Sequence, residues 1–153
     1  MEMKLTSNAF VEGGFIPAKY TCDGKNVSPQ LAWVSPPTNA KSFALICDDP
    51  DAPAGVWVHW VIFNIPATVK ELPEEIPPTK TLPDGTKQGM TDFRRIGYGG
   101  PCPPSGVHRY FFKLYALDKE LTLEAGITKA QLLKAIEGHI LASAQMIGKY
   151  SRK

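Results

Sequence analysis

Two histidines and one acidic cluster hold most of the chemistry that this sequence can offer. His59 stands inside Trp57-Val58-His59-Trp60-Val61, an apolar setting in which both ring nitrogens must find partners. It reads as a core histidine satisfied by a carbonyl or carboxylate, or as an imidazole facing a ligand. His108 follows Tyr98-Gly99-Gly100-Pro101-Cys102-Pro103-Pro104-Ser105-Gly106. In such a loop glycines let backbone N–H groups approach a ligand and prolines hold the shape. An anion could lodge there, or the loop could simply begin a strand. Asp48-Asp49-Pro50-Asp51-Ala52-Pro53 supplies carboxylates that could bind a metal, orient a histidine or cap a turn. One aspartate with two histidines suits zinc or iron, but spacing along the chain does not demonstrate that they converge. The motifs of several other engines are absent: the helix-loop-helix calcium pattern, HExxH, GxSxG, GxxxxGK[ST] and GxGxxG.

The elements that must position these groups are mostly strands. Ser42–Asp48 is a short apolar run ending in acids and proline, as a buried strand does. Val56–Ile65 is β-branched and aromatic on both alternating faces, which predicts a strand covered on both sides at the middle of the fold. His108–Leu117 sets His108, Tyr110, Phe112 and Leu114 on one face and Arg109, Phe111, Lys113 and Tyr115 on the other. Arg109 therefore points away from His108, toward a packing or salt-bridge role. The stretch Pro66–Pro104 is too long for a plain connection and is expected to be functional or excursive. Thr128-Lys129-Ala130-Gln131 reads as a capping box with Ile127 and Leu132 as its staple, and Gly138 as the left-handed stop. His139, just beyond, is expected to be structural or exposed. Ile140–Tyr150 follows as a last strand. Short strands joined by proline-rich turns argue for a mainly β sandwich or barrel with one short helix, in a single domain over residues 1–153.

Composition narrows the function. Lysine and arginine number 17 against 15 acids, a net charge of +2, too small an excess to favour nucleic acid. No apolar run reaches the roughly 18 residues of a membrane span. Fourteen prolines imply many rigid loops. Cys22, Cys47 and Cys102 lie far apart without a CxxC pair, and an odd count cannot close a full disulfide framework. A reducing compartment is expected. The N-terminal Met1–Ser7 turns polar too early for a secretory signal, so the expected location is cytoplasmic.

Four ordered motifs carry a resemblance: Cys22-Asp23-Gly24-Lys25-Asn26-Val27-Ser28-Pro29-Gln30-Leu31-Ala32-Trp33; Asp49-Pro50-Asp51-Ala52-Pro53; Trp57-Val58-His59-Trp60; and Gly99-Gly100-Pro101-Cys102-Pro103-Pro104-Ser105-Gly106-Val107-His108-Arg109-Tyr110. Together they resemble the phosphatidylethanolamine-binding protein family, in its short prokaryotic branch related to Raf kinase inhibitor protein. The likeness implies a β-sandwich with one or two short helices and a small pocket whose rim binds an anion. It implies that Asp49, Pro53, Trp57, His59, Gly100, Pro101, His108 and Tyr110 form that site. The sequence departs from the pattern of mammalian members at Cys102, which stands where they have proline, as the prokaryotic form commonly does. It departs in two further places: the chain ends soon after the last strand, as if without the C-terminal helix of mammalian relatives, and Gly89–Arg95 differs from the usual prokaryotic version.

The expected function is non-enzymatic binding of a small anion or phosphorylated ligand, with a partner protein such as a kinase or protease as a further target of regulation. A phosphoethanolamine-like head group would place ammonium toward Asp49 and phosphate toward His59 and His108. No cofactor is implied, and since some relatives dimerise, a homodimer is one expectation. The alternative is a hydrolase in which Asp49, His59 and His108 hold a metal or do acid–base chemistry on a phosphate ester.

Overall fold

The computed structural model describes residues 2–152. In chain order its elements are β1 (Lys4–Thr6), a single 3-10 turn (Ala18–Tyr20), β2 (Leu31–Val34), β3 (Ser42–Asp49), β4 (Trp57–Pro66), β5 (Glu71–Leu72), β6 (Lys87–Gln88), β7 (His108–Leu117), α1 (Lys129–Ile136) and β8 (Ile140–Tyr150). The four long strands fall on the four hydrophobic runs. The short strands β1, β2, β5 and β6 had no periodicity long enough to announce them.

Strands β1, β2 and β5 make a small antiparallel sheet, and β6-β4-β3-β7-β8 a larger one, also antiparallel throughout. The sheets face each other across a core that includes Leu5, Leu31 and Trp33 from the small sheet and Phe43, Leu45, Trp60 and Phe112 from the large one. The back of the large sheet carries a second apolar cluster, with Ala44, Ile46, Val61 and Phe63 beneath Leu132 and Ile136 of α1. Three layers result, and the large sheet is covered on both faces as the sequence predicts.

The middle strand is β3, however, and not β4. β3 is buried at all eight positions, Asp48 and Asp49 included, because ten-residue strands flank it on both sides. The outer neighbour of β4 is only the two-residue β6. Carboxylates at the end of β3 disguise its depth in the sequence.

The helix start is the capping box that its sequence spells. The Gln131 N–H donates to Thr128 Oγ1, and the Thr128 N–H donates to Gln131 Oε1 at 2.9 Å. Ile127 and Leu132 share the cluster behind the sheet, and Gly138 takes the left-handed conformation at φ +81° that glycine adopts without steric cost. The long stretch 66–104 is pinned from within by buried Gln88, whose amide accepts from Trp60 Nε1 and donates to the Pro77 and Thr79 carbonyls.

The sequence offers no sign of one feature: Cys22 and Cys102 are joined by a disulfide, leaving Cys47 buried and free. An odd count forbids complete pairing, but not one bridge between residues that the fold brings together. Among the described residues no helix is long and apolar enough to cross a membrane.

Candidate functional site

A cavity of about 310 Å³ opens at one end of the large sheet. Asp49 from the end of β3 lines it with Ala52 and Pro53 from the following loop, Trp57 and His59 from β4, and His108 and Tyr110 from β7. Two further loops close it, one through Phe93 and the other through Cys102, Pro103 and Pro104.

A β-bulge aims His59 into this space. Cys47 pairs with Trp60 and Asp48 with Val58, so one step along β3 spans two residues of β4 and His59 is the extra one. Strict alternation would send His59 and Trp60 to opposite faces. The inserted residue lets both turn inward, Trp60 into the core between the sheets and His59 to the cavity wall. Bulges commonly re-aim side chains beside functional sites in this way.

The imidazoles are fixed through their Nδ1 atoms. His59 Nδ1 donates to the Gly99 carbonyl at 2.6 Å, while the Gly99 N–H donates back to the His59 carbonyl at 2.9 Å. Burial pulls the His59 pKa below 6.5, against the raising effect of the Gly99 carbonyl, and holds the ring neutral. His108 Nδ1 lies 2.7 Å from Asp49 Oδ2, with both side chains buried. The other Asp49 oxygen accepts the Asp51 N–H at 2.7 Å. Neither Nε2 has a hydrogen-bond partner among the described residues.

Asp51 performs a separate task. It takes three bonds of 2.9 Å from Arg109, one from the backbone N–H and two from the guanidinium. The guanidinium holds the Asp51 carboxyl down at about 2. Alternate aspartates of Asp49-Pro50-Asp51 thus grip consecutive residues of β7, and Arg109 turns away from the cavity as its strand position predicts.

Tyr110 is wholly buried and lines the cavity, yet its hydroxyl has no hydrogen-bond partner among the described residues. Burial first, then the Asp49 charge, pushes the phenol far above its usual value, so it stays a donor. An orphaned buried hydroxyl is costly unless something else satisfies it.

Six of the eight residues expected at the site line the cavity: Asp49, Pro53, Trp57, His59, His108 and Tyr110. Gly100 and Pro101 stand behind it. The Gly100 N–H donates to Asn26 Oδ1 at 2.8 Å and the Pro101 carbonyl accepts the Cys22 N–H at 3.1 Å, so their polar groups anchor the loop instead of facing a ligand. A Cβ on Gly100 would fall 2.3 Å from the Tyr20 carbonyl oxygen, which is why glycine stands there. Asp49 is not the exposed carboxylate that would await an ammonium group; it is buried and already paired with His108.

Sequence reasoning missed Phe93, whose ring meets those of Trp57 and His59 edge-on at 5.5 and 5.2 Å. Its only signal was to be the one aromatic residue in Thr91-Asp92-Phe93-Arg94-Arg95. Among the described residues no group of three or more His, Cys, Asp or Glu side chains is placed to hold a metal ion. No lysine or arginine among the described residues lines the cavity.

The description that matches this chain is phosphatidylethanolamine-binding protein, over residues 6–151. A UPF0098 protein of Methanothermobacter thermautotrophicus is 58% identical over 150 residues, covering 98% of this chain and 99% of its own. Among solved structures, the phosphatidylethanolamine-binding protein homologue CT736 of Chlamydia trachomatis superposes with a TM-score of 0.92 at 43% identity, over 99% of both chains. Escherichia coli YbcL, a member of the same family, superposes at 0.91 with 35% identity over the full length of both. Likeness of sequence and of fold thus runs from end to end, and the chain belongs to the phosphatidylethanolamine-binding protein family.

Proposed function

We propose that the cavity is a non-catalytic binding site for a small anion or the head of a phosphate monoester. One observation carries this reading: Tyr110 Oη, His59 Nε2 and His108 Nε2 belong to residues lining one cavity, and none has a partner among the described residues. Tyr110 Oη donates as it stands and each Nε2 becomes a donor once its ring is protonated, so the three together suit a ligand rich in acceptors.

The positive charge for an anion comes from the imidazoles, because no lysine or arginine among the described residues lines the space. A bound anion favours the protonated ring, so binding draws in a proton and strengthens as pH falls. Each charge-assisted bond to the ligand is worth about 1.5–3 kcal/mol. With Asp49 already paired, an ammonium group adds little, and a simple anion serves nearly as well as phosphoethanolamine.

Calorimetry with sulfate, phosphate, acetate and phosphoethanolamine at pH 5.5 and 7.5 tests the reading. Sulfate does not titrate in this range, so its tighter binding at pH 5.5 reports the protein's protons alone. Absence of binding by all four at both pH values would refute the site.

A second reading has its own observation. The Asp49–His108 pair leaves one imidazole nitrogen free, as an orienting carboxylate does for a general base. Hydrolysis of a phosphate monoester, present in this protein and lost in His108→Gln, would replace the binding reading.

A further inference from the structure

We propose that the Cys22–Cys102 disulfide is a redox control on this cavity, whose reduction releases the wall built by Cys102–Pro104 and weakens ligand binding. The proposal rests on the binding reading above for its effect on affinity, but not for its effect on the wall.

The wall hangs on very few ties. Upstream of it the chain is anchored through Gly99 to His59, through Gly100 to Asn26 and through Pro101 to Cys22. Downstream, β7 begins at His108. Between these anchors Pro103 and Pro104 have no N–H to give, and among the described residues Pro103–Val107 make no hydrogen bond. Ser105, Gly106 and Val107 are exposed. The Pro103 ring is buried, but among the described residues the one covalent link from this span to a distant part of the chain is the bond from Cys102 to Cys22, 80 positions away in the sequence.

Cys102 is also a lining residue of the cavity. Cutting the link therefore changes the site wall itself and not a remote loop. A wall that must be ordered as the ligand binds costs conformational entropy that a pre-ordered wall does not.

The chemistry is confined to this pair. Both cysteines are half-buried, which leaves a path for a reductant. Cys47 is fully buried and burial pushes its thiol well up, so it stays protonated and apart from exchange. A dithiol supplies the electrons. Its thiolate attacks one sulfur, the S–S bond breaks, and a mixed disulfide forms as the other cysteine leaves. The second thiol then resolves that intermediate. Cys22 and Cys102 together gain two electrons and two protons, and the dithiol becomes a cyclic disulfide.

Nitrogen-15 relaxation of the full chain, oxidised and after reduction by dithiothreitol, reads motion of the wall directly at Cys102, Ser105, Gly106 and Val107. Calorimetry with sulfate on the oxidised protein, Cys22→Ser and Cys102→Ser reads affinity without reductant present. Cys22→Ser keeps the Cys102 thiol on the wall and so separates loss of the link from a change of lining atom. We expect the order parameters of the four amides to fall on reduction, to below about 0.6, and both variants to bind sulfate about fivefold more weakly. Unchanged order parameters in protein whose thiol count has risen would overturn the proposal, as would equal affinity in Cys22→Ser. If no form binds sulfate, the binding reading falls, and the order parameters alone still decide whether the disulfide holds the wall.

Discussion

Asp49 Oδ2 stands 2.7 Å from His108 Nδ1, and this contact ties the last residue of β3 to the first of β7. It orients the imidazole by its Nδ1 and leaves Nε2 without a partner among the described residues, so the fold and the proposed binding share one bond. Removing either partner leaves a buried group uncompensated, at a cost of about 3 kcal/mol. His108→Ala and Asp49→Ala should each destabilise by about that much in urea unfolding. The double variant should cost at least about 1 kcal/mol less than their sum. Strict additivity would show that the pair carries no coupling.

Because His108→Ala disturbs the fold, Tyr110→Phe is the cleaner test of the site. The Tyr110 hydroxyl is buried without a partner, so its removal should leave stability unchanged or raise it by up to about 1 kcal/mol. Sulfate affinity should fall about tenfold in the same variant. A loss of stability with affinity intact would mean that the hydroxyl serves the fold and not a ligand.

Acid stability should fall in two separate windows. Burial lowers the His59 pKa in the folded protein, so the unfolded chain takes up a proton first as pH drops below about 6.5, and stability declines from there until the folded ring titrates. Asp51 acts lower. Held at about 2 by Arg109, it stabilises the fold above about 3.8 and loses that contribution as pH falls through 2. Solvent screening at this partly exposed pair limits the contribution to about 1 kcal/mol. Thermal unfolding of His59→Gln should lack the upper decline, and that of Arg109→Met the lower one. A slope between pH 6.5 and 5 that survives in His59→Gln would assign it to another group.

Much of this arrangement was legible in the residues themselves. Hydrophobic runs announced the four long strands, Thr128 and Gln131 announced the helix start, and alternation along His108–Leu117 put His108 and Tyr110 on one face with Arg109 on the other. What escaped notice depends on events between distant residues. The bulge that turns His59 inward exists only in the pairing of β4 with β3. Gly100 and Pro101 look like ligand-facing backbone until Asn26 and Cys22, more than 70 residues away, claim their polar groups. The Cys22–Cys102 bond is hidden for the same reason. Phe93 lies in a stretch without periodicity, so no local pattern could have brought it to the cavity.

The position of Phe93 depends on the missing side chain of Gly99. A Cβ at Gly99 would fall 2.4 Å from Phe93 Cδ2 and 2.6 Å from Cε2, inside the contact limit for any real pair of carbons. The Phe93 ring also packs edge-on against Trp57 and His59, so it has little room to yield without opening the cavity. Gly99→Ala should therefore cost about 1–3 kcal/mol through overpacking and expose Trp57, with a red shift of its emission. In a Phe93→Ala background the ring carbons that crowd this methyl are gone, and most of that cost should vanish. Undiminished destabilisation in that background would place the strain in the link between Gly99 and His59, which is held by reciprocal hydrogen bonds, and not in the Phe93 contact.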